Sequence, residues 1–476
     1  MCGQMAESRT VVFPARSLPV TQRAEVLVVG GGTSGVAAAI AAARQGADTV
    51  LMERYGFLGG TAVGSPVPTF QEGPKIGGGH AILGIYAEMK ERLARYNAIS
   101  GESAGYEFKS AGLPSESPKA MTGRFEPAML QMICLEMCQA AGVRQVLHTA
   151  LADTIMHGDA IEYAVGVNKG GLMAVAARQF VDGTADGDLA VAAGAKAEVG
   201  SKRDGFTQPP TLGFDLSNVD FQQLARADWL ALWRQFQSEL PEVTVPRGRF
   251  MFERQEDRGT LRFVAMTHVE HVNAADPGDR TYIEVTGRLQ AKAVMDFFRK
   301  HVPGCERCVI TRTGVEAGIR ESRRIVGDYV ITRADVLEAR KFADCVGCSS
   351  SWIDVHEPGA AGVRHEYVPR NEWFEVPYRA LITSGVNNLY TVGRAVSCTH
   401  EALGALRTIP TGIMLGEAAG VAAALCAKEG VASRKLNVGR LQQALAEAGV
   451  FLGTAQPSPV PLPLPPGANP SAAKGG

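Results

Sequence analysis

Residues 25–60 read EVLVVGGGTSGVAAAIAAARQGADTVLMERYGFLGG. Glu25 to Val29 is a β-branched run, Gly30, Gly32 and Gly35 follow at GxGxxG spacing, and an alanine-rich stretch runs to about Gln45. The pattern predicts strand, tight turn and helix. The first glycine permits the turn, the second lets the backbone approach a pyrophosphate, and the third lets helix and strand pack closely. Diphosphate then sits on free N–H groups at the positive helix end, the end that Thr33 and Ser34 open. A second strand, Thr49 to Met52, ends in Glu53 and Arg54, with Glu53 placed 18 residues beyond Gly35. A carboxylate there suits the hydroxyls of an adenosine ribose. This stretch alone predicts the ADP half of a dinucleotide and leaves NAD or FAD open.

Residues 56–62, GFLGGTA, favour FAD, because Gly59 and Gly60 offer a second side-chain-free approach to a long cofactor and Thr61 follows them. With 476 residues the chain exceeds the usual single-domain size. A net charge of −1 argues against nucleic-acid or membrane partners recruited by bulk charge. No signal-type start is visible, so a cytoplasmic location is expected. Nine cysteines suggest reduced thiols rather than a disulfide framework.

Outward from that stretch, residues 1–20 read as a loose arm in which Thr10–Phe13 can add an edge strand. Gly77-Gly78-Gly79-His80 opens a helix to about Tyr96, and residues 102–124 read as an exposed excursion. Pro127 starts a helix to about Ala141, closed by Gly142. Val143–Thr149, Ile161–Asn168 and Leu172–Phe180 alternate as strands of a small meander. FVDGTADGDLAVA, residues 180–192, predicts a strand end and turn that carry Gly183 and Asp186 beside the first glycine loop. Residues 195–300 hold most of the aromatic character, including Phe214, Trp229 and Trp233.

In GIRESRRIVGD, residues 318–328, a strand places Arg320 and Arg324 on one face, where an anion or ordinary salt bridges are the alternatives. Thr332 with Asp335 reads as a capping box opening a helix through Phe342. Cys305-x-x-Cys308 and Cys345-x-x-Cys348 have the pairing of a zinc site, but the 36 residues between them exceed ribbon spacing. No metal is expected there. EVPYRAL, residues 375–381, and Asn388–Val392 read as strands. Pro410-Thr411-Gly412 then opens an alanine-rich helix to about Cys426, whose unpaired N–H groups suit the negative charge a reduced flavin gains.

In order, GGGTSG, GFLGGTA, FVDGTADGDLA, GIRESRRIVGDY, IDVHEP, VPYRAL and LYTVGRAVSCTHEALGALRTIPTGIMLGEAAG resemble the FAD-dependent oxidoreductase family, within the glutathione-reductase-like FAD/NAD(P)-binding superfamily. The resemblance implies an α/β fold in which a Rossmann-like FAD-binding domain, three-layered with a mostly parallel sheet, interleaves with an α+β substrate domain. The expected division is 20–194 with a loop excursion at about 62–125, 195–380, and a C-terminal return at 381–430, before a disordered tail at 455–476. The implied FAD set is Gly30, Gly32, Thr33, Ser34, Gly35, Glu53, Arg54, Gly59, Gly60, Thr61, Gly183, Asp186, Gly393, Arg394, Pro410, Thr411 and Gly412. His400, Glu401 and Arg407 match the stretch that faces the flavin ring.

No cysteine lies between Cys2 and Cys134, which removes the redox pair that disulfide reductases carry after the glycine pair. No second GxGxxG follows a strand, so a built-in NAD(P)H site is not expected. The leading expectation is a dehydrogenase or oxidase that moves hydride from a small organic substrate to flavin N5. His400 is the candidate base, with Glu401 orienting or replacing it. Arg407, Arg320 and Arg379 can clamp a carboxylate, with His356 as a further substrate residue. The alternatives are a monooxygenase and an RNA-modifying flavoprotein. The electron acceptor and the oligomeric state are left open.

Overall fold

The computed structural model describes residues 11, 14–65, 67–74, 76, 79–100, 122–245, 248–359 and 363–453. The expected arm through Thr10, most of the 102–124 excursion, Gly77, Gly78 and the 455–476 tail lie outside them.

The central sheet has seven strands. Val20–Val29 lies between Thr49–Met52 and Gly171–Asp182, parallel to both, and Arg144–Val146 extends the sheet beyond Thr49–Met52. Leu389–Thr391 returns late in the chain to pair parallel with residues 180–182. Val26–Val29, Thr49–Met52, residues 180–182 and Leu389–Thr391 are buried where they meet, as their mostly apolar runs require, while the edge strand Arg144–Val146 is not. The first half of Gly171–Asp182 forms an antiparallel meander with Ala160–Asn168 and Ala150–His157. Two strand expectations therefore change. Val143–Thr149 contributes only the short parallel strand Arg144–Val146, and Ala150–His157, in which Ala152, Asp153, Ile155 and His157 are exposed, is the third meander strand.

Helix Thr33–Arg44 crosses helix Ile409–Glu429 on one face of this sheet, and both are almost wholly buried. A Cβ at Gly416 would lie 2.0 Å from the Ser34 carbonyl oxygen, and one at Gly420 2.2 Å from that of Ala38. Glycine at a four-residue interval thus brings the two backbones into contact. The Ile409–Glu429 helix is long and apolar enough to cross a membrane, but 89% of that window is buried inside the protein, as a central core helix must be.

A second, antiparallel sheet orders Phe252–Gln255, Thr260–Phe263, Phe214–Ser217 and Val309–Thr313. It packs with helix Pro277–His301 around Phe214, Phe236, Phe250, Phe263 and Phe298. Two hairpins follow: Cys345–Ser349 pairs with Phe374–Pro377, and Ile353–His356 with Val363–Glu366. The expected strand 375–381 breaks after Pro377 into a 3₁₀ turn. The capping box at Thr332 is present, but its helix ends at Leu337 rather than Phe342. The helix expected from His80 begins at Ile85. Arg323–Ile325 forms a strand of only three residues, so Arg320 lies outside it and does not share its face with Arg324.

Candidate active site

Four separated segments meet around Ser34. Gly59 donates its N–H to the Gly31 carbonyl at 2.8 Å. A Cβ on Gly60, whose φ is +52°, would fall 2.7 Å from the Gly32 Cα. A Cβ on Gly412 would lie 2.7 Å from Ser34 Oγ and 3.9 Å from the Gly393 Cα. Gly30 adopts φ +99° against Gly183, a conformation that L side chains rarely take. The helices at Thr33 and Ile409 both begin without a side-chain cap, so their first N–H groups are available to a ligand. These segments line one cavity of about 620 Å³, whose wall includes Gly30, Gly32, Thr33, Ser34, Gly60, Thr61, Gly183, Gly393, Arg394 and Gly412.

Glu53 and Arg54 continue that wall. The buried Glu53 carboxylate accepts from Gly31 N at 2.5 Å and Tyr55 N at 2.7 Å. Burial raises its pKa, against those two hydrogen bonds. Arg54 pairs with Glu316 at 2.5 Å and lies over the Tyr55 ring. Asp186 sits behind the cavity and holds Arg394 at 2.6 Å and Arg280 at 2.7 Å, while Ser322 donates to it at 2.5 Å. Burial opposes its ionisation, but the two guanidinium groups outweigh burial and keep the carboxyl well below its ordinary range.

Another part of the wall carries Arg320, Trp352, Asp354, His356, His365, Tyr367 and Arg407. Asp354 and His365 are directly opposed in their hairpin, with His365 Nε2 2.9 Å from Asp354 Oδ1. Arg407 Nη2 donates to the Asp354 carbonyl at 2.8 Å and to its Oδ2 at 3.2 Å. His356 Nε2 lies 3.8 Å from Asp354 Oδ2, beyond hydrogen-bond distance. Gly404 makes this possible: a Cβ there would lie 2.7 Å from Asp354 N, so helix His400–Leu406 can press against the strand and deliver Arg407. Burial disfavours the Asp354 carboxylate, yet the adjacent His356, His365 and Arg407 hold its pKa well below the usual range. Burial, with Arg320 nearby, pushes His356 well below its ordinary value, so its imidazole is neutral near pH 7. Arg320 donates to Pro209 O and Thr211 Oγ1, both at 2.7 Å.

Arg394 Nε, Arg407 Nε, His356 Nδ1 and Trp352 Nε1 are buried and lack a hydrogen-bond partner among the described residues. All four residues line the cavity. Unsatisfied buried nitrogens are rare in folded proteins, and a set of them around one space fits a polar occupant. The glycine turns, the open helix ends and Glu53 accordingly fit a dinucleotide, with polar groups left over for a second ligand.

Several expected site residues lie elsewhere. His400 Nδ1 is 2.8 Å from Glu321 Oε2 in a buried cluster with Arg324, and it does not line the cavity. Glu401 is also absent from the wall. Arg379 is half-exposed and bonded to Asp344 at 2.8 Å, so it cannot clamp a substrate in the cavity. Gly35, Gly59, Asp186, Pro410 and Thr411 stand behind the lining and shape it: a Cβ at Gly35 would sit 1.8 Å from Gly30 O, and Thr411 Oγ1 bonds Ser349 Oγ at 3.1 Å. The two CxxC pairs also stay apart, Cys305 and Cys308 in the aromatic core and Cys345 and Cys348 in a separate small cluster. Asp354 and His365 were missed by the sequence reading. Asp354 was within reach, since it shares a strand face with His356 two positions on. His365 arrives by hairpin register, which no short motif carries.

The model of a family described as FAD dependent oxidoreductase matches residues 25–445. No curated protein matches the chain. Among solved structures, a geranylgeranyl bacteriochlorophyll reductase-like protein from Thermoplasma acidophilum is 16% identical, with a TM-score of 0.46 over 90% of this chain and 82% of that one. The p-nitrophenol 4-monooxygenase of Pseudomonas putida DLL-E4 is 10% identical, with a TM-score of 0.45 over 92% and 88%. A flavin-dependent brominase is 12% identical, with a TM-score of 0.43 over 90% and 83%.

Proposed function

Because the chain belongs to the FAD-dependent oxidoreductase family, it is an enzyme with FAD as cofactor, and from that premise we propose that it oxidises a small organic molecule bearing an anionic group. Segments 20–194 and 381–430 hold the cofactor in this reading, through the turns at Gly30, Gly60 and Gly412 with Glu53 and Arg394, and segment 195–380 supplies most of the substrate wall. Bound FAD supplies the acceptor for a hydride equivalent. Arg320 and Arg407 fix the anionic group, since guanidinium matches carboxylate geometry and keeps its charge when buried. His356, neutral in its buried setting, takes the proton released when an alcohol or amine carbon is oxidised. Asp354 remains anionic beside it and stabilises the imidazolium that results. Trp352 and Tyr367 cover the site against water.

The unpartnered nitrogens of Trp352, His356, Arg394 and Arg407 around one cavity carry this reading. The test is anaerobic titration of the FAD-loaded enzyme with small hydroxy acids, amino acids, and their uncharged amides. Bleaching of the flavin absorbance by acids, and far more weakly by the matching amides, is the expected result. Reduction by NAD(P)H alone, with oxygen then incorporated into a product, would replace the proposal with monooxygenation. Retention of RNA at low salt would point instead to the modification of nucleic acid.

A further inference from the structure

Outside the cavity, the CxxC at Cys345–Cys348 is built differently from a pair of packed thiols. In a regular strand, residues three apart point to opposite faces. Here the ladder between Cys345–Ser349 and Phe374–Pro377 slips between Cys345 and Gly347, and such irregularities re-aim side chains. The slip brings the two sulfurs to 4.0 Å, and Glu375 stands directly across the ladder from Cys348. The two sulfurs and a Glu375 carboxylate oxygen all lie within 4.8 Å of one another, and all three residues are buried.

We propose that Cys345, Cys348 and Glu375 bind one thiophilic divalent cation of the zinc class, with a fourth position left to water. Two thiolates at Zn–S bonds of about 2.3 Å sit about 3.8 Å apart at tetrahedral vertices. The observed 4.0 Å is close to that span and roughly twice a disulfide bond. The Glu375 carboxylate is buried, where a charge is costly without a cationic partner, and a metal supplies one. Phe342 N already donates to Glu375 Oε2 at 2.7 Å, which fixes the carboxylate as an outer-shell partner does in metal sites. A cleft bordered by Lys341, Cys345, Glu375, Gln442 and Gly453 gives the ion a path from the surface. The hairpin leads through Ser349 to Trp352, so the ion clamps the segment that carries part of the substrate wall. Cys305 and Cys308 gather no third ligand among the described residues and serve as the internal control.

The test loads FAD-bound protein with Zn²⁺, desalts it and measures retained metal, then reads the first coordination shell by X-ray absorption at the zinc edge. One zinc per chain with two sulfur ligands and the remainder oxygen is expected. Cys348→Ser and Glu375→Gln should weaken retention at least about tenfold, while Cys308→Ser leaves it unchanged. A wild-type protein that retains no zinc, or a first shell with no sulfur or with four, would overturn the assignment without recourse to any variant. So would equal retention by Cys348→Ser and wild type.

Discussion

At the residue scale the structure separates two histidines that a linear reading assigns to one site, His400 as base and His356 as a substrate residue. His356 lines the cavity beside Asp354, whereas His400 is engaged by Glu321 away from it. His356→Gln is expected to slow anaerobic flavin reduction by roughly 10²-fold or more, the usual contribution of a general base. His400→Gln should instead lower thermal stability by about 1–3 kcal/mol, because it disturbs a buried hydrogen-bonded cluster, with the reduction rate of the surviving protein little changed. Stopped-flow absorbance and thermal unfolding read the two effects separately, and equal losses of rate in both variants would return His400 to the mechanism. The pH profile has a definite sign as well. Since the His356 pKa is pushed well below 6.5, the base stays unprotonated as pH falls, and kcat/KM should remain level from pH 8 through 6.5. A decline beginning near pH 7 would exclude it. Asp354 and His356 were readable as neighbours because alternate positions of a strand share a face.

At the scale of elements, the crossing of helices Thr33–Arg44 and Ile409–Glu429 sets the distance between the first glycine turn and Gly412. Gly420→Ala forces a methyl against the Ala38 carbonyl oxygen and should destabilise the protein by about 1–3 kcal/mol, with weaker FAD retention, as measured by unfolding and by flavin-to-protein absorbance. The same helix buries Glu417, which accepts from Ile85 N at 3.0 Å and whose pKa burial pushes up to about 8. The fold keeps this carboxyl protonated while the unfolded chain ionises it above about 4.5. Its favourable contribution is therefore complete below that value and is lost as pH rises towards 8. Glu417→Gln, which cannot ionise, should gain stability relative to wild type across that interval, by up to a few kcal/mol. A constant difference between the two melting temperatures from pH 5 to 8 would contradict this. Helices this apolar were legible from composition, but their mutual contact was not, because small residues signal close approach without naming the partner.

For the whole molecule, cofactor and fold are linked. A ligand held between residues 30–61 and 393–412 ties the two ends of the chain together, and added FAD should raise the melting temperature in proportion to the logarithm of its concentration. Glu53→Ala should lower FAD affinity by roughly tenfold, one lost charge-assisted hydrogen bond being worth about 1.5 kcal/mol. An unaltered dissociation constant, measured by flavin fluorescence, would place the ribose elsewhere. The sequence by itself determined the strand, turn and helix at residues 25–60, the parallel sheet around them, the aromatic cluster near Phe214 and the FAD family. The strand, turn and helix and the aromatic cluster follow from local periodicity, composition and glycines at set spacings, which act over short stretches, while the parallel sheet and the family follow from the resemblance carried by motif order along the chain. The tertiary structure alone decided that His365 opposes Asp354, that Arg379 pairs at the surface, that Glu375 faces Cys348, and that His400 turns to Glu321. Each of those depends on strand register or on the meeting of segments remote in the chain, where packing and the partnering of buried charge select one neighbour among many.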